Sequence, residues 1–194
     1  MLGLKAETDS KWVKNCVEGN YGAILSDHAW CEQKAASNAI TLIVKFPERS
    51  ELVTAMSDLV REEMDHFNRV HEIILKRGYS LNQEDKDEYA GTLMKFVRKD
   101  RGKDIQLLDR LLFAAMIEAR SCERFKLLSE TVRDEELRIF YRELMTSEAR
   151  HYTMFIKLAK KFCDGATVDS RWEEWLNYEA DLISELGKEA KMHG

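Results

Sequence analysis

The sequence predicts an all-α protein built on a four-helix bundle. Its 194 residues are 44% hydrophobic and 34% charged, and they include a single proline. This composition favours long helices over a sheet. In four long segments, apolar residues recur every three or four positions, the spacing that places them on one face of a helix. Helices with such faces pack them against one another, which indicates a bundle core.

The four core helices are expected between residues 20 and 162. Pro47 ends the first helix because proline cannot continue a helical hydrogen-bond pattern. Gly78 follows the second helix, at a position where glycine is favoured. The expected bounds are about Asn20–Phe46, Glu48–Arg77, Asp104–Glu130 and Arg133–Phe162.

Two further helical segments are expected outside this core. The crossover between the second and third helices holds a short amphipathic helix, with Asn82 as its N-cap. A last, C-terminal helix, from about residue 170 to 188, opens with a capping box formed by Ser170 and Glu173. We expect it to pack on the outside of the bundle, with a dimer surface as the alternative. The whole chain, residues 1–194, is expected to form one domain.

Each half of the bundle carries one Glu-x-x-His pair and one single glutamate on its core-facing stripe. Residues at i and i+3 share a helix face, so each pair can offer a carboxylate and an imidazole to one point. The single glutamate precedes its pair by 31 residues in the first half and by 30 in the second, which indicates a duplicated helical hairpin. The residues are Glu32, then Glu63 with His66, and Glu118, then Glu148 with His151.

These four glutamates predict a metal site. Carboxylates in an apolar core cost several kcal/mol each unless cations neutralise them. Two divalent ions would balance four carboxylates, and carboxylate with imidazole suits iron or manganese, as in ferritin-like bundles. The competing interpretation is a set of buried salt bridges to Lys34, Arg120 or Arg150. His28, one turn before Glu32, is interpreted as a hydrogen-bonded core histidine, with a role at the metal as the alternative.

Charge and cysteine usage restrict the class of protein further. The net charge of −5 and the pI of about 5.6 argue against a broad nucleic-acid surface. The start of the chain lacks a signal-peptide layout and no apolar run could span a bilayer, so we expect a cytoplasmic protein without a membrane partner. The four cysteines are expected to be free thiols. They are Cys16, Cys31, Cys122 and Cys163.

Four stretches of the sequence resemble the bacterial tRNA hydroxylase family that acts on 2-methylthio-N6-isopentenyladenosine. The resemblance covers nearly the whole chain and is more specific than the metal motif alone. The stretches are Leu2–Leu4, Asp27–Ala36 (DHAWCEQKAA), Leu111–Phe125 (LLFAAMIEARSCERF) and Tyr141–Tyr152 (YRELMTSEARHY).

The resemblance implies a non-haem di-iron monooxygenase that hydroxylates the isopentenyl group of this nucleoside at position 37 of tRNA, next to the anticodon. Its cofactors would be two iron ions, with dioxygen as co-substrate and two electrons from an external donor, either an electron-transfer protein or a reductase. It also implies the iron ligands, which are Glu32, Glu63, His66, Glu118, Glu148 and His151. Where many di-iron oxygenases have an aspartate before the paired glutamate, this chain has Glu62 and Ser147.

An acidic protein must bind the tRNA anticodon loop through local positive surface. A basic cluster ends the crossover, although a solvated helix end is an equal alternative. The candidate tRNA contacts are Lys34, Lys99, Arg101, Lys103, Arg120, Arg124 and Arg150. The alternative function is a small ferritin-like iron oxidase or peroxide-handling protein without a nucleic-acid substrate, followed by a metal-stabilised interaction module. The oligomeric state, monomer or dimer, stays open.

Overall fold

The computed structural model describes residues 2–99, 101–186 and 191–192. Within those residues the chain forms seven α-helices, one short 3-10 helix and no strand, which confirms the all-α prediction. The α-helices are α1 (Ser10–Glu18), α2 (Tyr21–Lys45), α3 (Ser50–Lys76), α4 (Glu88–Leu93), α5 (Lys103–Thr131), α6 (Glu135–Phe162) and α7 (Gly165–Leu186). The 3-10 helix is Met94–Phe96.

The chain divides into two compact units, one of residues 18–86 and one of residues 1–17 with 87–194. Each unit is built on a hairpin of two long helices, α2 with α3 in the first and α5 with α6 in the second. The single-domain organisation expected from the sequence remains a prediction. In the part of the chain that the structure describes, no helix has the length and apolar character needed to cross a membrane.

The first hairpin forms where the sequence predicts it, to within about two residues at each end. Asn20 caps α2, because its side-chain oxygen accepts hydrogen bonds from the backbone N–H groups of Gly22 and Ala23 at 3.0 and 3.3 Å. Pro47 lies in the turn after α2. Gly78 follows α3 with a φ of +74°, a conformation that glycine adopts without the steric cost of a Cβ.

The short crossover helix begins later than predicted. Its N-cap is Asp87, whose side chain accepts a hydrogen bond from Ala90 N at 2.8 Å. Asn82 instead belongs to the preceding loop, where its backbone N–H donates to Ser26 Oγ and its carbonyl accepts from Trp30 Nε1 at 3.0 and 2.9 Å. The prediction that Asn82 is an N-cap is therefore wrong, because side chains of α2 bind its backbone in a non-helical loop.

The second hairpin also agrees with the predicted bounds to within two residues. Asp134 caps α6 by accepting a hydrogen bond from Leu137 N at 3.0 Å. The C-terminal helix α7 packs against α4, α5 and α6, with Trp175 fully buried. This packing agrees with the expected position on the outside of the core helices.

The predicted start of α7 is wrong. The helix begins at Gly165 because Asp164 accepts a hydrogen bond from Thr167 N at 2.9 Å, so the cap lies upstream of Ser170. The predicted end at Lys188 lies outside the described residues. Helix α1 was not expected from the sequence. It places Trp12 in the core, with the Arg124 guanidinium 4.5 Å from the Trp12 ring centroid.

Candidate metal centre

The unit of residues 18–86 buries three side chains of metal-ligand type. Glu32 comes from α2, and Glu63 and His66 come from α3; each is at most 4% exposed. His66 Nδ1 lies 3.4 Å from Glu63 Oε2 and 3.6 Å from Glu32 Oε2. Each residue offers one ligand atom within 4.8 Å of the other two. We call these three residues the first Glu/His cluster.

The other unit buries the same combination. Glu118 comes from α5, and Glu148 and His151 come from α6, and each is again at most 4% exposed. His151 Nδ1 lies 3.6 Å from Glu118 Oε2 and 3.7 Å from Glu148 Oε1. This second Glu/His cluster repeats the composition and nearly the spacing of the first, in agreement with the predicted duplication.

Both clusters lie on the apolar, core-facing stripes of their helices, as the periodicity predicts. A side chain on a core-facing stripe is buried whatever its chemistry, because its neighbours three and four residues away hold that face of the helix against the core. On α3 the buried stripe is Leu52, Met56, Leu59, Glu63, His66, Val70 and Ile73. On α6 it is Leu137, Tyr141, Leu144, Glu148, His151, Phe155 and Leu158.

The electrostatics of the first cluster favour a cation. Burial raises the pKa of Glu32, but hydrogen bonds with His28 and His66 outweigh burial and hold this pKa well below its usual range. Burial lowers the pKa of His66, but its contacts with Glu32 and Glu63 raise it to about 9. The same two carboxylates would also attract a metal ion, which must replace the proton on the imidazole nitrogen that it binds.

His28 is a hydrogen-bonded core histidine, the favoured interpretation of the sequence. Its side chain is fully buried, and its Nε2 lies 2.7 Å from Glu32 Oε1. The residue four positions before Glu118, which corresponds to His28 in the duplicated hairpin, is Ala114. The two clusters therefore differ at this position.

The donor set fits a pair of iron or manganese ions. The two clusters contribute four carboxylates and two imidazoles, all 1–4% exposed. Carboxylates buried to this extent are costly without a cation, and their combination with imidazole is the ligand set of ferritin-like di-iron bundles. The fold and the buried clusters are compatible with a di-iron site.

Five of the predicted tRNA contacts reach the surface at least in part. Lys99, Arg101, Lys103 and Arg150 are exposed. Lys34 is half-buried, and its Nζ lies 3.2 Å from Glu84 Oε1. None of these observations tests whether the side chains bind RNA, so that assignment remains a prediction.

The assignment of Arg120 and Arg124 to the tRNA surface is wrong. Both are fully buried. Arg120 donates two hydrogen bonds to the carboxylate of Glu179, at 2.8 and 2.9 Å, and one to Glu123 Oε2 at 2.7 Å. Arg124 donates to the backbone carbonyl of Met192. Arg120 forms its ion pairs with Glu123 and Glu179, neither of which is a candidate metal ligand. These pairs therefore do not support the competing interpretation, in which salt bridges to Arg120 neutralise the candidate ligands.

A buried acid that was not predicted from the sequence lies next to the basic crossover. Asp109 is fully buried and accepts hydrogen bonds from the backbone and side chain of Arg98 and from the side chain of Arg171. Burial raises the pKa of Asp109, but these hydrogen bonds outweigh burial and lower it. A signal was present, because the apolar pairs Leu107–Leu108 and Leu111–Leu112 flank Asp109 and Arg110. We call Asp109, Arg98 and Arg171 the Asp109 clamp.

The four cysteines, all within the described residues, form no disulfide, as predicted. Cys122 lies in the core of the second hairpin, and its Sγ is 3.3 Å from the carbonyl oxygen of Met145. Burial raises the pKa of the Cys122 thiol to about 11. This thiol is therefore protonated at neutral pH and is a poor metal ligand compared with a thiolate.

Comparisons with known proteins agree with this geometry. In the Pseudomonas putida protein named tRNA 2-(methylsulfanyl)-N(6)-isopentenyladenosine(37) hydroxylase, 37% of aligned residues are identical, over 98% of this chain and 91% of that protein. The Salmonella typhimurium protein of the same name is 28% identical over 98% of this chain and 87% of its own.

A solved structure from Synechococcus, described as a protein with aldehyde deformylating oxygenase activity, has a TM-score of 0.91 and 33% identity. The match covers 98% of this chain and 95% of that one, which confirms the predicted ferritin-like fold. The model of the tRNA-(MS²IO⁶A)-hydroxylase (MiaE) family matches residues 2–194. This chain therefore belongs to the tRNA-(MS²IO⁶A)-hydroxylase (MiaE) family.

Proposed function

We propose that this protein hydroxylates the isopentenyl group of 2-methylthio-N6-isopentenyladenosine at position 37 of tRNA. The observation that carries the proposal is a duplicated, buried Glu/His cluster in a chain that matches the hydroxylase family from residue 2 to residue 194. The names of the two bacterial relatives, which align with 98% of this chain, support the same substrate.

The proposed cofactor is a pair of iron ions, whose charge balances four carboxylates. When bound, the ions would supply the oxidising power that breaks an unactivated C–H bond with dioxygen and two electrons, which no side chain can do. The electrons would come from an electron-transfer protein or a reductase. The proposed ligands are Glu32, Glu63, His66, Glu118, Glu148 and His151.

The chain's own contribution is to hold the ligands and to exclude water. Each of the two histidines presents Nδ1 to a pair of carboxylates on its own hairpin, at 3.4–3.7 Å. Buried apolar side chains flank the clusters along each helix, among them Val70 on α3 and Phe155 on α6. A dry, apolar surrounding strengthens the attraction between carboxylates and cations and suits an isoprenoid side chain.

The proposed tRNA-binding surface is the basic segment formed by Lys95, Lys99, Arg101 and Lys103, all exposed. The Asp109 clamp supports this segment, since the backbone N–H of Arg98 donates to Asp109 Oδ2 at 2.7 Å. Phosphate binding needs such local positive charge in a protein with a net charge of −5. The target adenosine would leave the anticodon-loop stack to reach the iron site, in the cytoplasm where tRNA is found.

A single-turnover reaction tests the proposal. Iron-loaded, chemically reduced protein is mixed with dioxygen and tRNA that carries the isopentenyl modification, and the nucleosides are analysed by mass spectrometry. We expect a gain of one oxygen atom on that nucleoside only. Matched tRNA without the isopentenyl group should stay unchanged. Iron oxidation with an unmodified nucleoside would contradict the proposal and favour the iron-oxidase alternative.

The Synechococcus structure favours one second candidate, a dioxygen-dependent reaction on an apolar aldehyde. That protein shares 33% of aligned residues with this chain over nearly its full length. The same reduced, iron-loaded protein can be supplied with a long-chain aldehyde in place of tRNA. Formate release at a rate above that of tRNA hydroxylation would make the aldehyde reaction the better assignment.

A further inference from the structure

One buried histidine outside the six proposed ligands contacts the first Glu/His cluster. His28 Nε2 lies 2.7 Å from Glu32 Oε1, and both side chains are at least 94% buried. The other oxygen of Glu32, Oε2, lies 3.6 Å from His66 Nδ1. The two oxygens of Glu32 therefore have different neighbours, one a hydrogen-bonding imidazole and the other a proposed ligand nitrogen.

The residue at the corresponding position of the duplicated hairpin cannot make this contact. Ala114 takes the place of His28, and its methyl group cannot donate a hydrogen bond. Ala114 is 3% exposed, so this position is buried in both hairpins. Glu118 Oε2 lies 3.6 Å from His151 Nδ1, the same distance as in the first cluster.

We infer that His28 is a positioning residue that directs Glu32 to bind metal through Oε2 and thereby makes the two metal positions inequivalent. The inference rests on the metal site of the proposed function. An N–H that donates to Oε1 fixes the plane of the carboxylate and leaves Oε2 facing His66. Partners that orient a ligand in this way typically change metal affinity by about 10- to 100-fold. The first cluster therefore binds its ion more tightly than the second.

Two nearly isosteric variants separate a positioning role from simple packing. In His28→Gln the amide nitrogen takes the place of Nε2 and can still donate to Glu32 Oε1. In His28→Asn the amide nitrogen takes the place of Nδ1 and falls short of that oxygen. Both variants keep a polar side chain in the buried position. His71→Asn is the matched control, since His71 lies on α3 of the same unit and stacks on Phe67 outside the cluster.

The measurement is an anaerobic titration of the metal-free full-length protein with Mn²⁺, followed by electron paramagnetic resonance of the free ion. We expect two binding events of unequal affinity in the unmodified protein and in His71→Asn. His28→Asn should weaken the tighter event about 10- to 100-fold. His28→Gln should stay within about threefold of the unmodified protein. Far-UV circular dichroism of each metal-free variant confirms that the helices are intact.

Three results would overturn the inference and leave the proposed metal site standing. These are equal affinities for both ions in the unmodified protein, unchanged affinities in His28→Asn, and equal losses in His28→Gln and His28→Asn. The titration does not involve tRNA, so it can succeed while the single-turnover reaction fails, and that combination would reject only the proposed substrate. Binding of fewer than two ions per chain would reject the proposed metal site and this inference together.

Discussion

The two helical hairpins carry the same candidate ligands at the same spacing but differ in what surrounds them. In the α2–α3 hairpin, His28 hydrogen-bonds to the single glutamate, and in the α5–α6 hairpin Ala114 takes its place. The two hairpins thus carry the same residues at the candidate ligand positions and different residues one helical turn away. This difference is the basis for expecting two metal positions with unequal properties.

The outer faces of the hairpins differ more strongly. Lys34 and Arg120 each follow the single glutamate by two residues and so occupy corresponding positions. Lys34 is half-buried and pairs with Glu84, which is 50% exposed, whereas Arg120 is fully buried and pairs with Glu179, which is also fully buried. Helix α7 covers the second hairpin and supplies Glu179. In the second hairpin, α7 therefore makes the corresponding cation part of a buried ion pair.

The largest expected effect comes from removing a paired glutamate in either hairpin. Glu63→Ala and Glu148→Ala should each lower the iron content and reduce single-turnover hydroxylation by more than about 100-fold. Loss of a residue that only hydrogen-bonds to a metal ligand typically reduces metal affinity or activity by about 10- to 100-fold, and loss of a ligand itself should have a larger effect. Most helix should remain, because each stripe is otherwise apolar. Iron analysis, the single-turnover assay and circular dichroism measure the three quantities.

A matched pair of variants sharpens the contrast between the outer faces. Arg120→Met should lower the free energy of unfolding by about 3–5 kcal/mol, because it leaves Glu179 buried without its main cation. Lys34→Met removes the corresponding partly exposed pair and should cost about 0–1 kcal/mol. Urea unfolding of the metal-free proteins gives both values. If the two variants lost similar amounts of unfolding free energy, the buried ion pair of Arg120 would not contribute more to stability than the partly exposed pair of Lys34.

The smallest expected effect concerns tRNA. Lys99→Glu with Arg101→Glu should weaken tRNA binding and reduce the slope of log affinity against log salt by about 1.4–1.8, the contribution of two phosphate contacts. Lys45→Glu with Lys76→Glu makes the same change in net charge at exposed positions outside the basic segment. Binding is measured by filter retention across a salt series. If both double variants lost the same tRNA affinity, the basic segment would not be the tRNA-binding surface.

Local periodicity was sufficient to predict the four long helices and the burial of the six candidate ligands. Each ligand lies on a stripe whose apolar members are three or four residues away, so the pattern is contained within one helix. Pro47 and Gly78 were also readable, because the end of a helix depends on its immediate neighbours. Burial alone does not identify a metal ligand, because a core-facing position buries any side chain.

Interactions between distant parts of the chain could not be predicted in the same way. Arg120 and Arg124 resemble surface cations in the sequence, and the partner of Arg120, Glu179, lies 59 residues further along the chain. Asn82 is held in a loop by Ser26, 56 residues earlier. Tertiary contacts of this kind override local preference, which explains both the misplaced cap and the misassigned arginines.

The most direct test of the central claim is to count and characterise the iron ions in the anaerobically reconstituted protein. The claim is that the six buried glutamate and histidine residues bind two iron ions. We expect two iron ions per chain in the unmodified protein, and fewer than two in both Glu63→Ala and Glu148→Ala. A single iron per chain in the unmodified protein, or an unchanged iron content in both variants, would contradict the claim.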